Sequence, residues 1–291
     1  MGVKNNKSKA AFIAAMIIFG SIGIFRRYID LPSSVLAFAR GVIGTLFLVI
    51  FVKATGKKPD KAAVRSNLAL LIISGALIGF NWILLFESYN YTTVSVATLC
   101  YYMAPVFLIL ASPPVLKERL TVNKLIAVLA AVAGMSLVSG VFRGGEMAVD
   151  QRKGVLLGLG AALLYATVII MNKKMGEIDS YSKTIVQLGS SAVCLLPYVL
   201  LTENVSEIRL DGMGLLMVVA VGIIHTGVAY ALYFSSMKSL SAQNIAIFSY
   251  IDPVFAIILS AVILKEPMGF SEIIGAVLIL GAAIYSEFTE G

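Results

Sequence analysis

Charge is scarce in this chain: only 13% of its 291 residues are charged, whereas 59% are apolar, at a mean hydropathy of +0.92. A water-soluble domain could not hide so much apolar surface. Histidine is nearly missing, with one residue, and there are two cysteines, Cys100 and Cys194, both inside apolar segments. That excludes a Cys/His zinc centre and a disulfide scaffold. No spacing of acid, base and nucleophile suggests an enzyme, and no cofactor is implied. The net charge of +7 does not point to nucleic acid, because the basic residues sit in short clusters between apolar runs rather than on a continuous surface.

Long apolar runs are what the chain has in quantity. Bounded by charged or turn residues, they fall at 10–28, 33–52, 66–86, 92–113, 122–141, 154–172, 181–201, 212–233, 241–264 and 271–288. Each approaches the roughly 20 residues that a helix needs to cross a bilayer, so the reading is an all-α integral membrane protein with ten transmembrane helices. The fourth run contains Pro105 and ends in Pro113 and Pro114, which predicts a kink inside a spanning helix. Lys4, Lys7 and Lys9 ahead of the first run superficially resemble a secretory signal. Arg26 and Arg27 follow without a small-residue cleavage pattern, so a retained first helix is expected. With the N-terminus inside, fifteen Lys and Arg fall in the inner connections and seven in the outer ones, which predicts cytoplasmic termini in a cell membrane.

An internal repeat is the most specific feature. Tyr102-Met-Ala-Pro105-Val-Phe107 and Tyr250-Ile-Asp-Pro253-Val-Phe255 align without gaps at an offset of 148, and the match continues through Leu116-Lys117-Glu118 and Leu264-Lys265-Glu266, nine of 17 positions being identical. Gly79, Leu84, Phe86 and Ser88 match Gly227, Leu232, Phe234 and Ser236 at the same offset. Each copy holds five helices, an odd number, so the copies enter the membrane from opposite sides. The expected organisation is two inverted five-helix repeats, residues 1–141 and 154–291, joined by an external linker at 142–153. Such repeats around an in-plane pseudo-twofold are a recurrent transporter architecture, with substrate near the midplane.

Pro105-Val-Phe107 followed by Lys117-Glu118-Arg119, Pro253-Val-Phe255 followed by Lys265-Glu266-Pro267, and Arg40 in the second helix after Pro32 resemble the drug/metabolite transporter superfamily, in its ten-helix branch with two EamA-type domains. The resemblance spans about 10–288. It implies a secondary transporter without ATP hydrolysis, many such proteins being exporters of amino acids and related metabolites. Related four-helix exporters carry a proton-coupling glutamate in their first helix, and residues 10–25 here contain no acid.

Asp252, in the ninth span, aligns with Ala104. An ionised carboxylate there is costly and usually paired or functional, so Asp252 is a candidate for cation binding or proton coupling; the alternative is a buried carboxyl bonded to a carbonyl that Pro253 leaves free. His225 is a second coupling candidate, or a satisfied interior group, and proximity to Asp252 would favour coupling. Glu87 is the third, against a solvated place at the outer rim. Arg40, about eight residues into its span, is expected either to hold a substrate carboxylate in bidentate fashion or to pair with Glu87 or Asp252. Asn81, Trp82, Tyr101, Tyr102, Tyr230 and Tyr250 cluster in the third, fourth, eighth and ninth spans and are candidates for lining a cavity; tyrosine also serves in interface belts. Gln243 and Asn244 open the ninth span as end groups, and the 25 glycines are read as helix-packing residues.

The function expected is a secondary transporter working by alternating access, an exporter of amino acids or related small metabolites, with proton coupling as one means of driving it. Alternatives are a uniporter or channel-like facilitator, or a multidrug or quaternary-amine exporter. Its partners are a small-molecule substrate and the lipid bilayer, with no nucleic acid, and the protein is a monomer or homodimer.

Overall fold

The computed structural model describes residues 2–116, 121–138, 149–237, 240, 248–266 and 268–289. The described residues form helices α1 (Gly2–Arg27), α2 (Ser33–Ala54), α3 (Lys61–Ser66), α4 (Leu68–Tyr91), α5 (Val94–Tyr101), α6 (Ala104–Leu116), α7 (Val122–Val138), α8 (Val149–Lys174) and α9 (Ser180–Thr202), then α10 (Gly212–Ala220), a π-helical segment (Val221–Val228), α11 (Ala229–Met237), α12 (Ile251–Ile263) and α13 (Phe270–Thr289). Among them, seven continuous or nearly continuous segments are long and apolar enough to cross a membrane, and three shorter apolar helices, Val122–Val138, Ile251–Ile263 and Phe270–Tyr285, fall where the fifth, ninth and tenth spans are expected. The chain is an all-α membrane protein. Its lipid-facing surface carries wide apolar exposure, including Ile50, Leu129, Leu201 and Val277, which would be untenable in water.

The helix starts follow local chemistry. The Thr93 side chain accepts from the Val96 N–H, that of Asp179 from Tyr181 and Ser182, and that of Asp211 from Gly214, each satisfying donors that a helix N-terminus leaves open. Asp60 starts α3 in the same way. This short helix was not foreseen, and it shows that the chain between the second and third spans turns along the bundle end before re-entering.

The packing follows a regular rule. The first span packs on the eighth and ninth, and the sixth packs on the third and fourth; the second packs on the eighth as the seventh does on the third; the second meets the seventh, and the fifth meets the tenth. Advancing every number by five, modulo ten, maps this set onto itself, as a pseudo-twofold relating two five-helix repeats requires; the second span's contact with the third, which has no comparable seventh–eighth counterpart among the described residues, departs from it. Small residues permit the closest approaches: a Cβ on Gly134 of α7 would stand 2.7 Å from the Gly275 carbonyl of α13, and one on Gly275 would stand 2.6 Å from that of Gly134.

The fourth span departs from the expected single kinked helix. It breaks at Tyr102 and Met103, and Pro105 lies in the first turn of the new helix α6. Proline belongs there, since the first turn needs no N–H from it and its fixed φ suits helix initiation. Pro253 occupies the first turn of α12, after a turn at Tyr250. The repeated motif thus marks a helix that stops and restarts.

Candidate functional site

Three helix irregularities converge on the middle of the bundle: the break before α6, the start of α12, and the π-helical segment of the eighth span. A π turn widens the helix by one residue and is frequent at functional sites. Here it sends neighbouring side chains to different helices, Thr226 to α2 and His225 to α1. Gly222 and Gly44 let the segment and α2 come together: a Cβ on Gly222 would lie 2.6 Å from Ile43 side-chain atoms, and one on Gly44 would overlap the Thr226 methyl.

Arg40 is buried, at 5% exposure. Its Nε donates to Thr226 Oγ1 at 2.7 Å, and its guanidinium carbon stands 4.2 Å from the centre of the Trp82 ring and 5.7 Å from that of Phe86. Arginine is suited to this, having a planar, weakly hydrated cation that stacks on aromatic faces. The pairing with Glu87 or Asp252 considered from the sequence is absent: among the described residues the single salt bridge is Arg27–Glu266. The two terminal nitrogens of Arg40 are left without a carboxylate, while Nε is anchored. Tyr89, Tyr101 and Tyr230 lie within electrostatic reach of the guanidinium.

Asp252 stands in the first turn of α12, where the helix dipole favours an acid. The Tyr102 phenol donates to its Oδ2 at 2.9 Å, so the carboxyl is tied to the helix break of the first repeat, not to a carbonyl freed by Pro253. Tyr101 stacks near Tyr165, with centroids 5.4 Å apart, and Tyr230 packs on Phe19 and Phe234. Asp252, Tyr101, Tyr102 and Tyr230 are half-buried. Tyr250 is also half-buried, at the turn before α12.

The remaining candidates part company. The Asn81 amide donates to the Ala161 carbonyl at 2.5 Å, joining α4 to α8. His225 is 1% exposed, with Nε2 3.0 Å from Ser21 Oγ and the Phe25 ring edge-on at 4.6 Å. The Ser21 hydroxyl also bonds the Ile18 carbonyl, at 2.8 Å. His225 and Asp252 do not hydrogen-bond each other; each touches α1, His225 at Ser21 and the Asp252 backbone at Gly20. Glu87 lies one turn before the end of α4 and accepts from Ser33 at 2.7 Å and Asn90 at 3.1 Å; Arg26 also donates to Ser33. It belongs to a polar knot at the end of the bundle, away from the Tyr102–Asp252 contact. Gln243, Asn244, most of the 142–153 linker and the Lys117-Glu118-Arg119 sequence lie outside the described residues.

Sequence reasoning missed Tyr165, Thr226 and Ser21. Tyr165 had a signal, a tyrosine deep in an apolar run. Thr226 and Ser21 had none, because a hydroxyl in a spanning helix commonly bonds its own preceding turn. A groove of about 450 Å³ lined by Leu84, Arg152, Lys153, Leu156 and Leu157 contains none of the predicted site residues.

The EamA-like transporter family model matches residues 7–140 and again 152–286. The chain is 31% identical over 267 residues to the uncharacterized transporter YxxF of Bacillus subtilis, covering 92% of this chain and 85% of that protein. It is 24% identical over 212 residues to the aromatic amino acid exporter YddG of Ancylobacter novellus, covering 72% of each. One solved crystal structure superposes with a TM-score of 0.65 at 20% identity, covering 98% of this chain and 97% of the other, and shares the fold.

Proposed function

The chain belongs to the EamA-like transporter family, and from that premise we propose that it exports amino acids or closely related metabolites by alternating access to a central space bordered by Arg40 and Asp252. The observation that carries this reading is the state of Arg40: a buried cation, anchored through Nε on Thr226 and stacked on Trp82, with no carboxylate against it among the described residues. An unpaired charge in the membrane interior is expensive and marks a ligand or ion path, and a guanidinium with free terminal nitrogens suits a carboxylate. Asp252, held by Tyr102, supplies the opposite charge for an ammonium group or for a proton exchanged during transport. Tyr101, Tyr102, Tyr230 and Tyr250, with Asn81 and Trp82, offer faces and polar edges for the side chain of the substrate. The likeness to an aromatic amino acid exporter supports aromatic side chains in particular.

In this reading the units are residues 1–141 and 154–291, both termini are cytoplasmic, and Asp252 carries any proton coupling; His225 and Glu87 are the lesser candidates. A second reading, export of a quaternary amine, draws on the same Asp252 and its tyrosines but has no use for Arg40. Counterflow of labelled L-tryptophan and labelled choline in proteoliposomes separates the two. Saturable tryptophan exchange supports the amino acid reading, choline exchange alone overturns it, and a non-saturating conductance would sink the carrier mechanism itself.

A further inference from the structure

Glu266 belongs to the repeated Lys-Glu pair and lies at one end of the bundle, after α12. Its carboxylate serves three partners from both repeats. Oε1 takes a hydrogen bond from Arg27 at the end of α1 at 2.7 Å, and Oε2 takes one from the Val94 N–H at the start of α5 at 2.9 Å and one from the Ser260 hydroxyl of α12 at 2.7 Å. The same Arg27 nitrogen also donates to the Thr92 carbonyl at 2.9 Å. The backbone is bent to allow this. Lys265 has φ of 54°, a left-handed conformation in which a side chain other than glycine is uncommon, and the Glu266 N–H turns back to the Ser260 carbonyl at 3.2 Å.

Those contacts join α5 to α12 at the bundle end, and the same two elements meet again in the interior. α5 runs eight residues from Val94 to Tyr101, roughly 12 Å of helix, to the break at Tyr102, whose phenol reaches Asp252 at the start of α12. The pair is therefore fastened at both ends, once at the candidate site and once at the water-accessible end, where Arg27 and Glu266 side chains are 31% and 17% exposed. A partly solvated ion pair is weak enough to break during a transport cycle, whereas the interior contact is the one a substrate would meet. α1 is held close as well: a Cβ on Gly23 would lie 2.5 Å from the Val94 side chain.

We propose that Glu266 is the latch of the gate at this end of the bundle: its carboxylate must release Arg27 and the α5 N-terminus before α5 parts from α12 and opens the Tyr102–Asp252 region to the outside. The latch rests on the alternating-access reading, and its test needs no substrate. A cysteine replaces Tyr102 in the full chain, and a membrane-impermeant maleimide is applied to intact cells and, in parallel, to inverted vesicles, with mass spectrometry reading each cysteine. Glu266→Gln and, separately, Arg27→Gln should raise labelling of the Tyr102→Cys position from outside about tenfold, the factor that roughly 1.4 kcal/mol of lost latching gives. The exchanged pair Arg27→Glu with Glu266→Arg should recover much of the protection. Native Cys100, fully buried with its Cβ 2.8 Å from where a Cβ on Gly158 would stand, should stay unlabelled throughout. Unchanged labelling in both single variants overturns the latch. So does an equal rise at Cys100, which would mean that the contacts only hold the fold together. If one single variant fails to reach the membrane, the other and the exchanged pair decide. A rise confined to inverted vesicles keeps the latch and overturns the orientation instead. Absence of tryptophan exchange by the native chain, alongside the predicted labelling in the Tyr102→Cys background, overturns the substrate reading and leaves the latch standing.

Discussion

Arg40→Lys is the sharpest perturbation of the candidate site because it keeps the charge and removes the geometry. The native guanidinium divides its work: Nε is spent on Thr226 at 2.7 Å and the plane rests 4.2 Å from the Trp82 ring centre, while the two terminal nitrogens can face a carboxylate together. A lysine ammonium has one nitrogen for all of this, so either Thr226 or the ligand loses its donor, and the planar stack is lost. One charge-assisted hydrogen bond contributes about 1.5–3 kcal/mol, and a desolvated cation–π contact contributes up to about 2 kcal/mol, part of which lysine retains. The net expectation is a roughly ten- to hundredfold weaker binding of L-tryptophan. L-tryptophanamide, which lacks the carboxylate, should lose little. The assay is ligand-induced thermal stabilisation of the purified protein across a concentration series, since a ligand of the folded state raises the melting temperature by mass action. The unliganded melting curve reports any packing damage separately. Equal weakening of the acid and the amide would refute the carboxylate role and leave Arg40 as a packing residue.

Asp252→Asn should retain tryptophan exchange in proteoliposomes while net efflux loses its dependence on a pH gradient; an undiminished pH response removes Asp252 from the coupling path. Gly20→Ala would set a Cβ 2.5 Å from the Asp252 carbonyl oxygen and 3.3 Å from the Ala256 nitrogen. Both are backbone atoms that cannot swing aside, so α1 must move off α12 at a cost of about 1–3 kcal/mol, read as a lower melting temperature. Gly281→Ala, with nothing within 4 Å of the new methyl, is the control and should hold or slightly raise the melting temperature, since alanine suits a helix interior better than glycine. Gln187→Leu removes the amide that donates to Ser74 and to Asn172, each at 2.8 Å; interhelical bonds of this kind contribute about 0.6–1.7 kcal/mol, so melting should fall while the ranking of tryptophan over its amide stays unchanged.

The spans were legible because hydropathy acts over some twenty residues at a time, and the repeat was legible because Tyr102–Glu118 and Tyr250–Glu266 retain identity at positions where apolar composition alone would blur it. Local events within a span were less so. Pro105 reads as a kink if the helix is assumed to be continuous, whereas its ring favours a restart, and the break then falls on Tyr102 and Met103. The π-helical widening at Val221–Val228 has the composition of any apolar turn with glycines, so nothing in the sequence announces that Thr226 and His225 will serve different helices. Arg40 was recognisable as a buried cation from its depth, but its partner was not, because the choice among Glu87, Asp252 and a hydroxyl depends on which helices the pseudo-twofold brings together.

That pseudo-twofold also explains why one interface and not its mate became the candidate site. The second span crosses the eighth through Arg40 and Thr226, and the seventh crosses the third through Gln187 and Ser74, so equivalent helix pairs are joined by a polar side chain on one helix and a hydroxyl on the other. In the second case the amide is also bonded to Asn172, and a neutral group so paired has little left to offer a ligand. In the first, the hydroxyl takes one donor of a cation and leaves the others. The same asymmetry recurs at the helix restarts, where α6 begins with Ala104 and α12 with Ile251 and Asp252. In the proposed alternating-access reading, a charge placed in only one copy of each position gives the central space a polarity, with Arg40 on one side and Asp252 on the other. In that reading a carboxylate-bearing substrate matches the cation, and the acid on the other side takes up and releases the coupled proton, which is why Asp252→Asn should spare exchange and remove the pH response.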